Sequence, residues 1–152
     1  MLPYMWQVMD KSFSSQTAVM TNGMTVFTVS GGPIVIVDLL SVCVTANGAT
    51  ASTMQWSSSP TVGSATTFSG ASASLANATA GTTVRLAPTA LSTAPVIVAA
   101  SSGGVQLGTN VANNIVVKNG TITLVIGTGS TTGTWIHHIL YRPLTPDSII
   151  LG

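Results

Sequence analysis

Two runs in which apolar and hydroxyl residues alternate constrain the fold of this chain most: Met24-Thr25-Val26-Phe27-Thr28-Val29 and Thr121-Ile122-Thr123-Leu124-Val125-Ile126. Successive side chains of a strand point to opposite faces, so a period of two describes a sheet with one dry and one wet side. Each run is entered through an Asn-Gly pair, Asn22-Gly23 and Asn119-Gly120, and Asn-Gly is a turn signal. The run Ile115-Val116-Val117, the turn Lys118-Asn119-Gly120 and the second alternating run together predict the best hairpin in the chain.

What wets the outer positions is unusual. Only seven of 152 residues are charged, Glu is absent, and Ser and Thr occupy 41 positions. A chain that alternates hydroxyls with Val, Ile and Ala suits β-sheet, and one that spends so little charge on its surface suits a surface that is mostly covered. The reading is a structural, assembling protein rather than an enzyme.

The length fits one domain, able to bury roughly 68–70% of its unfolded surface without staples. Residues 1–12 form an N-terminal arm or first strand and 13–152 the main domain. The first ten residues hold Met1, Met5 and Met9 with Tyr4 and Trp6, and the first hydroxyl residue is Ser12. Pro33-Ile34-Val35-Ile36-Val37-Asp38-Leu39-Leu40-Ser41-Val42-Cys43-Val44-Thr45-Ala46 is the longest apolar segment, and its β-branched content predicts a central strand buried on both sides, ended by Asn47-Gly48. Further strands are predicted at 51–56, 65–68, 82–86 (closed by Pro88), 95–100 (stopped by Gly103-Gly104) and 134–141. A further short run of the same spacing is predicted at 71–78; it is Ala-rich, but its Ser, Thr and Gly neighbours make a helical reading of it weak. The whole predicts an all-β fold with little helix, a single antiparallel β-sandwich or jelly-roll-like barrel of about 8–10 strands.

Several function classes lose ground on the same residues. Lys11, Arg85, Lys118 and Arg142 are scattered singly, so no basic stripe marks a nucleic-acid partner. The uncharged stretches 39–84 and 86–117 are crowded with Ser, Thr, Asn, Gly and Pro, which argues against a spanning helix, and the first ten residues lack the layout of a signal peptide. Cys43, in an apolar run, reads as a small buried hydrophobe. No G-x-S-x-G occurs, and Asp10, Asp38 and Asp147 are the sole carboxylate side chains. Gly127-Thr128-Gly129-Ser130-Thr131-Thr132-Gly133 has its third glycine misplaced for a phosphate-binding fingerprint and reads as a loop between strands. Neither a cofactor nor a metal is expected.

His137 and His138, adjacent on a predicted strand, point to opposite faces and cannot chelate one metal together. Trp135, His137, Ile139 and Tyr141 share one face; Ile136, His138, Leu140 and Arg142 share the other. Structural packing is the expectation for both histidines, with a pH-sensitive subunit contact as the functional alternative. An enzyme would require them in a cleft with Asp38 or Asp147.

Gly32-Pro33-Ile34-Val35-Ile36, the Ser/Thr/Ala-rich middle, Gly120-Thr121-Ile122 and Ser130-Thr131-Thr132-Gly133-Thr134-Trp135-Ile136-His137-His138-Ile139-Leu140-Tyr141-Arg142-Pro143-Leu144 together resemble small virion structural proteins of tailed bacteriophages. The resemblance runs from about Asn22 to the end, and its most specific part is Thr-Gly-x-Trp followed by Tyr-Arg-Pro-Leu. It implies a capsid decoration or cement protein, made in the bacterial host cytoplasm and placed on the capsid exterior. Its partners would be itself, as a homotrimer, and the major capsid protein. Tyr4, Trp6, Trp135 and Tyr141 are the expected assembly contacts, because Tyr and Trp are common interface anchors. The alternative is a tail or fibre component that stacks a host glycan on Trp56, Trp135 or Tyr141.

Overall fold

The computed structural model describes residues 9–87, 90–100 and 115–152. Twelve strands form two antiparallel sheets, with no α-helix among the described residues. In chain order they are β1 (Lys11–Ser14), β2 (Ala18–Val19), β3 (Thr25–Ser30), β4 (Ile34–Cys43), β5 (Thr53–Pro60), β6 (Thr66–Thr67), β7 (Thr83–Arg85), β8 (Val96–Val98), β9 (Ile115–Val117), β10 (Gly120–Gly127), β11 (Thr134–Pro143) and β12 (Ile149–Leu151). The larger sheet runs β1-β11-β4-β7-β8, with β2 also on β11 and β9 also on β4; the smaller runs β12-β3-β10-β5-β6. The sheets do not close into a barrel, so of the two expected forms the sandwich is the one adopted. The strand number exceeds the expected range because two-residue pairings such as β2 and β6 carry almost no sequence pattern of their own.

The chain changes sheet at most of its connections: β2 to β3, β3 to β4, β4 to β5, β6 to β7, β9 to β10, β10 to β11 and β11 to β12. The expected hairpin at Asn119-Gly120 is therefore corrected. β9 pairs with Ile34–Ile36 of β4 in the larger sheet, while β10 lies between β3 and β5 in the smaller. A two-residue type I′ turn needs positive φ at both central residues, and here Gly120 has φ +143° while Asn119 is not among the positive-φ residues. Gly120 is needed for another reason: a Cβ there would collide with the Ser59 carbonyl oxygen of β5. Asn22-Gly23 does turn the chain. Met24 N–H donates to the Thr21 carbonyl (3.2 Å) around Gly23 at φ +79°, the glycine-favouring third position of a type II turn.

β4 is central, flanked by β11 on one side and by β7 and β9 on the other. Its burial on both sides is corrected to burial mainly on one: on the outer face Val35 is 7% exposed, but Val37, Leu40 and Val42 are only half-buried. The sequence looks continuously apolar because the ladder with β11 slips by one residue, Leu140 opposing Asp38 and Tyr141 opposing Ile36. This bulge changes parity, so Ile34 and Ile36 before it and Leu39, Ser41 and Cys43 after it all face the core. A similar slip in β3 buries both Val26 and Phe27.

One hydrophobic core fills the space between the sheets, including Phe27, Ile34, Ile36, Leu39, Met54, Trp56, Leu75, Ile122, Leu124 and Trp135. The run expected at 71–78 is corrected: the stretch forms neither strand nor helix, and delivers Leu75, 1% exposed, into that core from a loop. Edge strand β1 is pinned by Phe13, whose ring meets Phe27 of the opposite sheet edge-on, centroids 6.2 Å apart.

Asn47 fastens this loop. The sequence marks it as a turn, yet it is 6% exposed and its side chain joins three segments. Its Nδ2 donates to the Leu75 carbonyl (2.8 Å), and its Oδ1 accepts from the backbone N–H of Thr132 and of Gly133, both at 2.9 Å. Its own N–H donates to the Ala78 carbonyl (2.8 Å).

Candidate functional site

β11 carries the residues with chemistry, and its two faces have separate fates. Inward, Trp135 and His137 are fully buried and Tyr141 is 4% exposed, with the Tyr141 hydroxyl accepting from the Ile150 N–H (3.2 Å). Trp135 and Tyr141 therefore pack in the sandwich's own core, and the assembly contact expected of them is corrected: in this fold they offer no surface to a partner. Trp56 is likewise 0% exposed, so none of the three rings presents a stacking face to a glycan. Tyr4 and Trp6 lie outside the described residues, as do Pro88 and Gly103-Gly104.

His137 Nδ1 is 2.6 Å from the Ser41 hydroxyl, while its Nε2 is buried with no hydrogen-bond partner. Burial first, and the neighbouring His138 second, push its pKa from 6.5 down to about 4. It is a neutral core histidine whose backbone also ties down the edge: Ser15 Oγ accepts from its N–H (3.0 Å), and its carbonyl accepts from the Ser15 N–H (2.9 Å). The indole N–H groups of Trp56 and Trp135 are buried without partners as well.

Outward, His138 Nδ1 meets the Ser14 hydroxyl at 2.6 Å. His138, Ser12, Ser14, Asp38, Leu40 and Leu140 line a shallow depression of about 210 Å³ on the outer face of the larger sheet. Thus His138, and not His137, shares a cleft with Asp38. The carboxylate is committed elsewhere: Arg85 Nε donates to Oδ1 (2.9 Å) and Nη2 to Oδ2 (2.5 Å), and the Leu39 N–H donates to Oδ1 (2.9 Å). A general base relay needs the acid on the histidine, and here each has a different partner. Cys43, 1% exposed, has its thiol pKa raised by burial and hydrogen-bonded toward the Thr45 carbonyl (3.1 Å). Among the described residues, no group of three or more His, Cys, Asp or Glu is placed to hold a metal, and no helix is long and apolar enough to cross a membrane.

A second depression, of about 300 Å³, opens between β9 and the β5–β6 edge, with Phe68, Ile115 and Val117 below and Val62, Leu91 and Val116 at its rim. Four of the seven charged side chains are paired inside the chain, Asp38 with Arg85 and Asp10 with Arg142 (2.8 Å). Lys11, Lys118 and Asp147 remain outside these pairs. Comparison of the chain with protein-family models, with curated proteins and with solved structures yields no match.

Proposed function

We propose that this chain is a structural component of a virus particle, a decoration protein that binds an assembled shell where its subunits meet and holds the shell together. The observation that supports this most is the sparsely charged exterior: two ion pairs within the chain compensate four of the seven charges, leaving mainly hydroxyl and aliphatic side chains over both sheets. Copies bearing such a surface repel one another little, which suits close, repeated placement on a lattice. A rigid sandwich that binds the closed shell and not its separated subunits stabilises the shell by mass action, about 2.7 kcal/mol per site when the free protein stands at 100 times its dissociation constant.

The test is addition of purified chain to particles that lack it. The temperature at which the genome is released should rise and then saturate with added protein. A release temperature that does not move, with no protein sedimenting with the particles, rejects the proposal.

A further inference from the structure

The register separates the two outer faces of the sandwich by chemistry. On the smaller sheet the outward positions of the paired strands are mainly hydroxyl: Thr28, Thr121 and Ser59 form one row and Thr25, Thr123 and Ser57 the next, with Ile149 and Leu151 at the β12 edge. On the larger sheet the outward positions are mainly aliphatic. Ile136 opposes Val42, Leu140 lies beside the Asp38 position, His138 opposes Leu40, and Val35 lies between Arg142 and Val116. Val96 and Val98 of β8 continue the face, opposite Arg85 and Thr83. Val116 and Val96 are 56% and 46% exposed.

From this asymmetry we infer that the outer face of the larger sheet is a self-association surface, on which a second copy of this chain packs sheet against sheet about a two-fold axis. Two observations select a second copy as the occupant. The charges on this face are Asp38 with Arg85 and Asp10 with Arg142, each compensated within the chain, so the face can meet its own image without a like-charge clash. The area also suffices. The strands of this sheet, at about 3.3 Å per residue and about 4.8 Å apart, span a face of about 550 Å², so two copies together bury about 1,100 Å², the small end of a specific interface. Two-fold packing gives a dimer, in place of the trimer that the resemblance implies. The inference concerns the isolated chain and holds or fails independently of the virion reading.

Sedimentation velocity at micromolar concentration tests it. The full chain should sediment at twice its 15.4 kDa mass. Giving the larger sheet the chemistry of the smaller one, with Ile136→Thr and Leu140→Thr together, should return it to monomer with its circular dichroism unchanged; Leu40→Lys is the second route to the same result. Thr123→Lys on the hydroxyl face should leave the dimer intact, as should removal of residues 1–8. A monomeric or trimeric wild type overturns the inference. So does a dimer that survives both face substitutions, or one lost on removing residues 1–8, which would make the N-terminal segment the occupant.

Discussion

Asn47→Ala removes one carboxamide group and should cost a large part of the fold's stability. The side chain makes three bonds in a buried setting, one donated to the Leu75 carbonyl and two accepted from Thr132 and Gly133. Alanine would leave the Thr132 and Gly133 N–H groups without their acceptor, while the Leu75 carbonyl would keep only the Ala78 N–H (3.2 Å). At about 1 kcal/mol net for each bond, and about 1–3 kcal/mol where a buried partner is left unsatisfied, the loss comes to about 3–5 kcal/mol. Against the roughly 5–15 kcal/mol that holds a typical domain folded, that is a severe lesion. Urea unfolding followed by tryptophan fluorescence measures it, since Trp56 and Trp135 are both fully buried. Asn47→Asp supplies the control: it retains the acceptor but sets a carboxylate against the Leu75 carbonyl. A loss below about 1 kcal/mol for the alanine variant, where a single net hydrogen bond would account for it, refutes the view that Asn47 fastens the three segments.

Acid should weaken the fold through His137. Its folded pKa of about 4 lies below the unfolded 6.5, so the stability its neutral form contributes is complete above 6.5 and drains away as pH falls toward 4. At about 1.36 kcal/mol per unit this is roughly 3 kcal/mol, and urea midpoints for wild type and His137→Gln should diverge at neutral pH and converge in acid. Gly120→Ala should cost at least about 2 kcal/mol in the same assay, because its Cβ would meet the Ser59 carbonyl and its φ of +143° disfavours a side chain. Cys43 should resist a thiol reagent in the native protein and react at the rate of a free thiol in denaturant; rapid native labelling would contradict its burial.

The two faces of β11 were legible from residues alone, because a regular strand enforces alternation and Thr134–Pro143 contains no bulge of its own. The apolar stretch at β4 was not legible in the same way. Its parity changes at Val37-Asp38, and a bulge leaves no mark in a sequence where every neighbour is aliphatic. The Asn119-Gly120 turn misled for a related reason: Asn-Gly fits a hairpin, but the close approach of β5 that Gly120 permits depends on a strand 60 residues earlier in the chain. Asn47 carries a turn signal, but β4 ends at Cys43 and the chain bends at Val44-Thr45; the role of Asn47 stayed concealed because the three segments it joins are distant in sequence. Trp135 and Tyr141 had the composition of interface anchors, and the inward parity of β11 puts them in the core. The contrast between the two outer faces needed the strand register, which pairs residues such as Ile136 and Val42 that no local pattern links.

The virion reading is tested most directly by counting this chain in purified virus particles, using quantitative mass spectrometry with the most abundant shell subunit as the reference. The account predicts one copy per shell subunit or per few of them. Only a few copies per particle would move the protein to a tail or fibre, and its absence from the particles would contradict the account outright.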